Sequence, residues 1–394
     1  MLHKQINHSP DIKKLRNLGY EVKVKGNYLL IENVPYLNNM KKVLYGTLIS
    51  DITIINNAVA KPQNHVAFFR GEYPHNADGT IISQIQHSNS TRNLTSEIVI
   101  NHSFSNKPPN GYDNYFHKME QYIKIISAPA ESIDSRITAK TFKVIECVEQ
   151  ESVHHYYDTN STRAEIDAIS EKLANQKIAI VGVGGTGSYI LDQIAKTIVQ
   201  EIHIFDGDLF LQHNAFRAPG APALDELSLS MKKVEYYSSI YSKMHKNIIA
   251  HDYFIRESNV GALKGMDFVF LCLDRGDVKK CIIKKLEEEN ISFIDTGIGV
   301  ERVEDSLIGM VRTTASTNKQ RDHIWKNDRI SFADDNLNNE YAKNIQIAEL
   351  NSLNASLAVI KWKKLIGFYN DLEFEFNSTY AINVNYIQNE DNET

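Results

Sequence analysis

The chain has 394 residues, 42% of them hydrophobic and 23% charged, with 19 Gly and 9 Pro. That length suits two to three domains, and that composition excludes collagen-like, coiled-coil and wholly disordered chains. With 43 Lys and Arg against 49 Asp and Glu the net charge is −6, which argues against a protein that grips nucleic-acid backbone. Three cysteines, Cys147, Cys272 and Cys281, make neither a CxxC nor an even set, so neither a disulfide framework nor a cysteine-based structural zinc site is expected. The first residues lack the apolar stretch of a secretory signal, and no run approaches about 18 apolar residues. A cytoplasmic protein with no membrane span is expected.

In chain order, residues 1–148 read as a β-rich α+β accessory domain. YEVKV and YLLIENV flank Gly26-Asn27, which suits a tight hairpin, and VLYGTLISDITII is a further strand-like run. From Tyr112, the spacing of Tyr115, Met119, Tyr122 and Ile126 predicts a helix. His65, Glu72, His75 and His102 lack the regular spacing of metal ligands and read as scattered surface residues. Residues 149–163 are polar and aperiodic and read as a linker, with His154 and His155 facing solvent. Ser161 and Thr162 are expected to cap a helix over AEIDAISEKLANQ.

From Lys177 the pattern changes. KIAIVGV, EIHIFDGD, DFVFLCLD and SFIDTGI are short apolar runs ending in Gly or Asp, with helical stretches between them. Residues 164–394 therefore read as an α/β domain with a Rossmann-like, mostly parallel sheet and right-handed crossovers. A last helix, about 345–369, is expected to bury Ile347, Leu350, Leu353, Leu357, Ile360 and Leu365.

The first of those strands runs into Gly182-Val183-Gly184-Gly185-Thr186-Gly187-Ser188 and then a helix. Glycines there allow a tight turn and let backbone N–H groups approach a phosphate, with the positive end of the helix behind them. The second strand ends in Asp206-Gly207-Asp208, with Asp206 placed 24 residues after Gly182, where a carboxylate can hold ribose hydroxyls. Asn214 and Arg217 follow. A dehydrogenase has no use for them, whereas a site for a triphosphate does, because a guanidinium offers a planar fork to phosphate oxygens.

GxGGTGS, DxDxxxxxNxxR, a Lys-Val-Glu helix and a strand ending in Asp together resemble the ThiF/MoeB/HesA superfamily, the bacterial relatives of ubiquitin-activating enzymes, over roughly residues 155–370. The resemblance implies ATP-dependent adenylation of a C-terminal carboxylate, with Gly182, Gly184, Gly185, Thr186 and Gly187 cradling the nucleotide. It implies Asp206, with Asp208 beside it, at the ribose, and Asn214, Arg217 and Lys233 (or its neighbour Lys232) at the phosphates. Asp274 would bind Mg²⁺, and Arg163 would reach a partner subunit's site in a homodimer. The partners implied are a ubiquitin-like protein and a conjugating-enzyme-like protein. The first domain is similar to an uncharacterised domain fused to ThiF-like proteins in some bacteria, and is expected to recruit the ubiquitin-like protein or its acceptor.

Two features depart from the family pattern. The stretch 315–344, where activating enzymes carry a thioester cysteine, has no Cys, and zinc cysteines are missing too. Cys272 and Cys281 read as core, so the adenylate is expected to pass directly to a nucleophile or a cysteine on a partner. Rival readings are a glycine loop for NAD or FAD, activation of a small-molecule, peptide or tRNA-borne carboxylate, and a non-catalytic nucleotide-binding scaffold.

Overall fold

The computed structural model describes residues 9–55, 58–144, 147, 152–332 and 345–392. Contacts divide the chain into two units: residues 1–147 with Tyr156–Ile166, and residues 148–155 with Asp167–Thr394.

The first unit opens with helix α1, Pro10–Asn17. Strands β1 (Glu21–Lys25) and β2 (Tyr28–Leu37) pair antiparallel with Lys25 opposite Tyr28. Gly26 and Asn27 are therefore a two-residue turn, and Gly26 takes φ +56°, a conformation L side chains resist. β3 (Val43–Asp51), β4 (Val66–Arg70), β5 (Gln86–Ser88) and β6 (His102–Ser105) complete a six-stranded sheet in the order β1-β2-β3-β4-β6-β5. Helix α2 spans Tyr115–Ile133, capped by Asn114, whose side chain accepts the His117 N–H at 2.8 Å. It buries Tyr115, Met119, Tyr122 and Ile126, the four positions its periodicity names.

Two readings of the polar residues in and after this unit need correcting. His102 is not a surface residue: it is buried, with Nε2 against the Gly71 carbonyl at 3.1 Å and its ring beside Tyr73 and Phe104. His154 does not face solvent either: it is buried, with Nε2 at 3.2 Å from the Ala195 carbonyl and its ring edge-on to His245. An aperiodic sequence hides such contacts because each His finds its acceptor through tertiary packing. Asp158, not Ser161 or Thr162, caps the following helix, and that helix is Thr159–Arg163. The stretch expected as one helix after it is a short turn, Asp167–Ser170, and a 3-10 turn, Glu171–Leu173.

The second unit carries an eight-stranded sheet. Its strands are β7 (Lys177–Val181), β8 (Glu201–Phe205), β9 (Ile248–His251), β10 (Phe268–Leu271), β11 (Ser292–Val303), β12 (Ser306–Ser316), β13 (Asn377–Ala381) and β14 (Tyr386–Glu390), in the order β9-β8-β7-β10-β11-β12-β13-β14. The first five are parallel and the pairs from β11 to β14 antiparallel. This is a mixed α/β fold with a mostly parallel sheet. Strand order reverses at β7, whose neighbours β8 and β10 are reached by crossovers in opposite directions, and such a switch point leaves a crevice at the strands' carboxyl ends. Helices α3 (Gly185–Ile194), α4 (Lys233–Tyr241), α5 (Gly276–Glu288) and α6 (Ala348–Leu365) flank the sheet.

The buried face of α6 differs from the expected one. It consists of Leu350, Asn351, Asn354, Ala355, Ala358, Val359, Lys361 and Trp362, while Ile360 is exposed. Small alanines let α6 pack closely on α3, and two asparagines rather than leucines face inward, so a hydrophobic period alone points to the wrong side.

Candidate functional site

The carboxyl ends of β7, β8 and β10, with Thr296 and Ile298 from the middle of β11, line a cavity of about 440 Å³. Its floor is the glycine turn. Gly182 has φ +89°, and a Cβ there would sit 2.6 Å from the Cys272 carbonyl oxygen, so the turn closes only without a side chain. A Cβ on Gly187 would overlap the Gly182 carbonyl oxygen, whereas one on Gly184 would meet nothing within 4 Å. Gly187 thus serves the packing of α3 onto the turn. Gly184, at the N-cap of α3 and lining the cavity, leaves room for a ligand against backbone. The start of α5, at Arg275 and Val278, lines the same cavity, so two helix N-termini direct positive potential into it.

The acidic residues come from strand ends. Asp206 is buried and accepts the Val183 N–H at 3.0 Å and the Asp208 N–H at 2.9 Å. Burial pushes its carboxyl above the ordinary range, against the opposing pull of Lys233 and the two backbone donors. Asp208 is more exposed and pairs with Lys233 Nζ at 2.8 Å, which also lies 3.7 Å from Asp206. Asp274, three residues past the end of β10, is exposed at the cavity.

Of the two lysines, Lys233 lines the cavity, while Lys232 donates to the Gly207 carbonyl at 2.6 Å. Arg217 lines it too, and its buried Nε has no hydrogen-bond partner among the described residues. Thr186 lines the cavity and donates its hydroxyl to Asn351 at 3.0 Å.

Asn214 takes a different place. It is buried, accepts the Leu211 N–H on its own side chain at 2.8 Å, and its carbonyl accepts the Arg217 N–H at 3.1 Å. It is not among the cavity-lining residues, and these bonds shape the backbone that leads to Arg217. Arg163 is exposed on Thr159–Arg163, a helix grouped with the first unit.

Several lining residues were not singled out in the sequence: Phe254, Ile255, Arg256, Arg275, Thr296 and Gln346. Arg275 directly follows Asp274, and Phe254 to Arg256 follow β9, so the carboxyl-end rule would have found both groups had β9 been recognised. Cys272 also lines the cavity, and burial pushes its thiol up to about 12. Burial raises the Cys281 thiol as well. No group of three or more His, Cys, Asp and Glu able to hold a metal is found among the described residues, and none of the described helices is long and apolar enough to cross a membrane.

A glycine turn, a strand-end carboxylate and a cation-lined cavity at a switch point define a nucleotide-binding α/β fold. Within that class, residues 157–322 match the ThiF family, and residues 10–159 match a domain of unknown function, DUF6791. The chain is 24% identical over 144 residues to the ubiquitin-like modifier-activating enzyme 5 of Drosophila virilis, a match covering 34% of this chain and 36% of that protein. It thus spans about a third of the length of the curated relatives it matches. Among solved structures, E. coli MccB with ATP has a TM-score of 0.45 at 19% identity, over 57% of this chain and 66% of that one. PaaA has a TM-score of 0.44 at 17% identity, over 57% and 75%.

Proposed function

We propose that the ThiF-family domain adenylates the C-terminal carboxylate of a ubiquitin-like protein, consuming ATP and releasing pyrophosphate. The observation that carries this reading is the convergence of the glycine turn, Asp206, Arg217, Lys233 and Asp274 on one cavity. The match to a ubiquitin-like modifier-activating enzyme supports the choice of substrate.

In this reading the ribose hydroxyls bind at Asp206, whose carboxyl burial raises while Lys233 and two backbone N–H groups pull it the other way. The triphosphate lies along the glycine turn, toward Arg217 and Lys233. The carboxylate of the tail needs no general base, since it is already ionised. One of its oxygens attacks the α-phosphorus as the bond to the β-phosphate's bridging oxygen breaks, and pyrophosphate leaves. Arg217 and Lys233 stabilise the charge that develops at the α-phosphate. Mg²⁺, when bound, neutralises phosphate charge; Asp274 would hold it together with phosphate oxygens and water, a donor set that suits an ion needing few protein carboxylates.

With the Cys272 thiol pushed up to about 12, this cysteine is no thioester nucleophile at neutral pH. The acyl-adenylate therefore passes to a nucleophile or a cysteine on a partner such as a conjugating-enzyme-like protein. The protein acts in the cytoplasm as a homodimer, with Arg163 reaching the partner subunit's site, and residues 1–148 recruit the ubiquitin-like protein or its acceptor. The absence of a Cys from residues 315–344 also fits a second reading, activation of a small-molecule or peptide carboxylate. ATP–pyrophosphate exchange separates the two: exchange that requires a β-grasp protein with a glycine tail supports the first, and exchange with small carboxylates alone replaces it with the second. No exchange with any carboxylate would overturn both.

A further inference from the structure

Asn351 on α6 is fully buried, and both ends of its amide are used. Its Oδ1 accepts the Thr186 hydroxyl at 3.0 Å, and its Nδ2 donates to the Arg217 main-chain carbonyl at 3.2 Å. A Cβ on Gly185 would overlap this same side chain, so the glycine turn is pressed against the amide at a position where only hydrogen fits. One side chain thereby joins α6, the glycine turn and the backbone of Arg217. The two hydrogen bonds also fix the amide's orientation, because the hydroxyl must donate to the oxygen and the carbonyl must accept from the nitrogen.

The bond to Arg217 matters because of how that residue is held. Its N–H donates to the Asn214 carbonyl at 3.1 Å and its C=O accepts from Asn351, so the peptide units on both sides of its Cα are anchored. Arg217 lines the cavity, and its buried Nε has no hydrogen-bond partner among the described residues. With no partner on Nε among the described residues, the pinned backbone is what the structure shows holding the fork's base. Asn354, one turn further along α6, provides an internal comparison. It is equally buried, yet it donates to the Gly297 carbonyl at 3.0 Å and accepts from Thr313 at 3.4 Å, so it anchors β11 and β12 instead.

We propose that Asn351 is a positioning residue that sets the Arg217 guanidinium against the glycine turn, making α6 part of the triphosphate site. This rests on the nucleotide reading above but not on the identity of the carboxylate. A misplaced anchor near the chemistry costs rate and affinity without any loss of direct contact.

The test is a double-mutant cycle on the full chain, read by equilibrium binding of ATP with Mg²⁺ in calorimetry and by ATP–pyrophosphate exchange. Asn351→Leu keeps the volume and removes both hydrogen bonds; it should weaken ATP binding roughly tenfold, the scale of one lost buried hydrogen bond near a charge. In an Arg217→Ala background the same change should have almost no further effect, because coupled residues are non-additive. Thr186→Val, which frees the amide from the turn with little change of volume, should show the same non-additivity to a smaller degree and serves if Asn351→Leu does not fold. Asn354→Leu should leave ATP affinity within about twofold, since its bonds lead elsewhere. Equal losses in both Arg217 backgrounds, or a comparable loss of affinity from Asn354→Leu, would overturn the proposal. Coupling seen in ATP binding with no pyrophosphate exchange would sustain it while removing the adenylation reading. Exchange with additive effects would do the reverse, and a chain that binds no ATP would end both.

Discussion

Two buried lysines are used in opposite ways in the two units. In the first, Lys118 on α2 is fully buried and sealed by protein: its ammonium donates to Ser50 Oγ and the Asn64 carbonyl, each at 2.8 Å, and lies 3.6 Å from Asp51. Burial pulls it down to about 8, with Asp51 opposing. In the second, Lys233 is almost as buried but lines a cavity, paired with Asp208 and near Asp206, and shares that cavity with Arg217, whose Nε has no partner among the described residues. A charge whose donors are all taken by fixed protein groups holds architecture together. A set of charges with unsatisfied capacity around a void is built for something that arrives.

The largest effect expected from breaking this contrast is at the open site. Arg217→Ala and Asp274→Ala should each lower pyrophosphate exchange roughly 10²–10³-fold, the scale of a lost transition-state charge contact, with little change in melting temperature. A large drop in Tm with exchange spared would reverse the assignment.

The glycines of the turn sharpen the same contrast between scaffold and site. Gly187→Ala forces a Cβ into the Gly182 carbonyl and should destabilise the second unit by about 3 kcal/mol, as overpacking does. Gly184→Ala meets nothing, so it should fold normally yet bind ATP less well. Thermal melts with and without ATP check both; equal Tm losses would show that Gly184 is merely structural.

At the sealed lysine the effect is on pH dependence. Because the folded pKa of Lys118 lies below its ordinary 10.5, the unfolded chain binds more protons between about pH 8 and 10.5. Stability of the first unit should therefore rise with pH across that window, by up to about 3 kcal/mol relative to Lys118→Met. Amide hydrogen exchange of residues 115–133 in wild type and variant gives the difference, and parallel pH profiles would refute a buried, charged Lys118. The smallest expected effect is at Cys272, whose thiol, pushed up to about 12, should resist iodoacetamide at pH 8; rapid alkylation there would reopen a thioester on this chain.

Local chemistry made much of this legible. A helix spaced Tyr115, Met119, Tyr122 and Ile126, a hairpin at Gly26-Asn27, and four strands ending in Gly or Asp all follow from neighbouring residues. The cavity residues Asp206, Arg217, Lys233 and Asp274 were readable because a crevice at the carboxyl ends of parallel strands gathers its residues from the loops just after them. What escaped the sequence depends on distant partners. β9 has the short run Ile248–His251, the antiparallel strands β12 to β14 extend the sheet beyond its parallel part, and α6 turns Asn351 and Asn354 inward. A buried asparagine looks like a surface residue until the hydroxyl, carbonyl and amide it serves are brought to it by the fold.

The account turns on where AMP is placed. Incubating the full chain with ATP, Mg²⁺ and a small β-grasp protein ending in glycine, then weighing the intact partner, tests this directly. The account predicts a mass gain of one AMP at the partner's C-terminal carboxylate, lost on neutral hydroxylamine treatment and absent with Arg217→Ala. AMP on a side chain, or the same yield from Arg217→Ala, would contradict it.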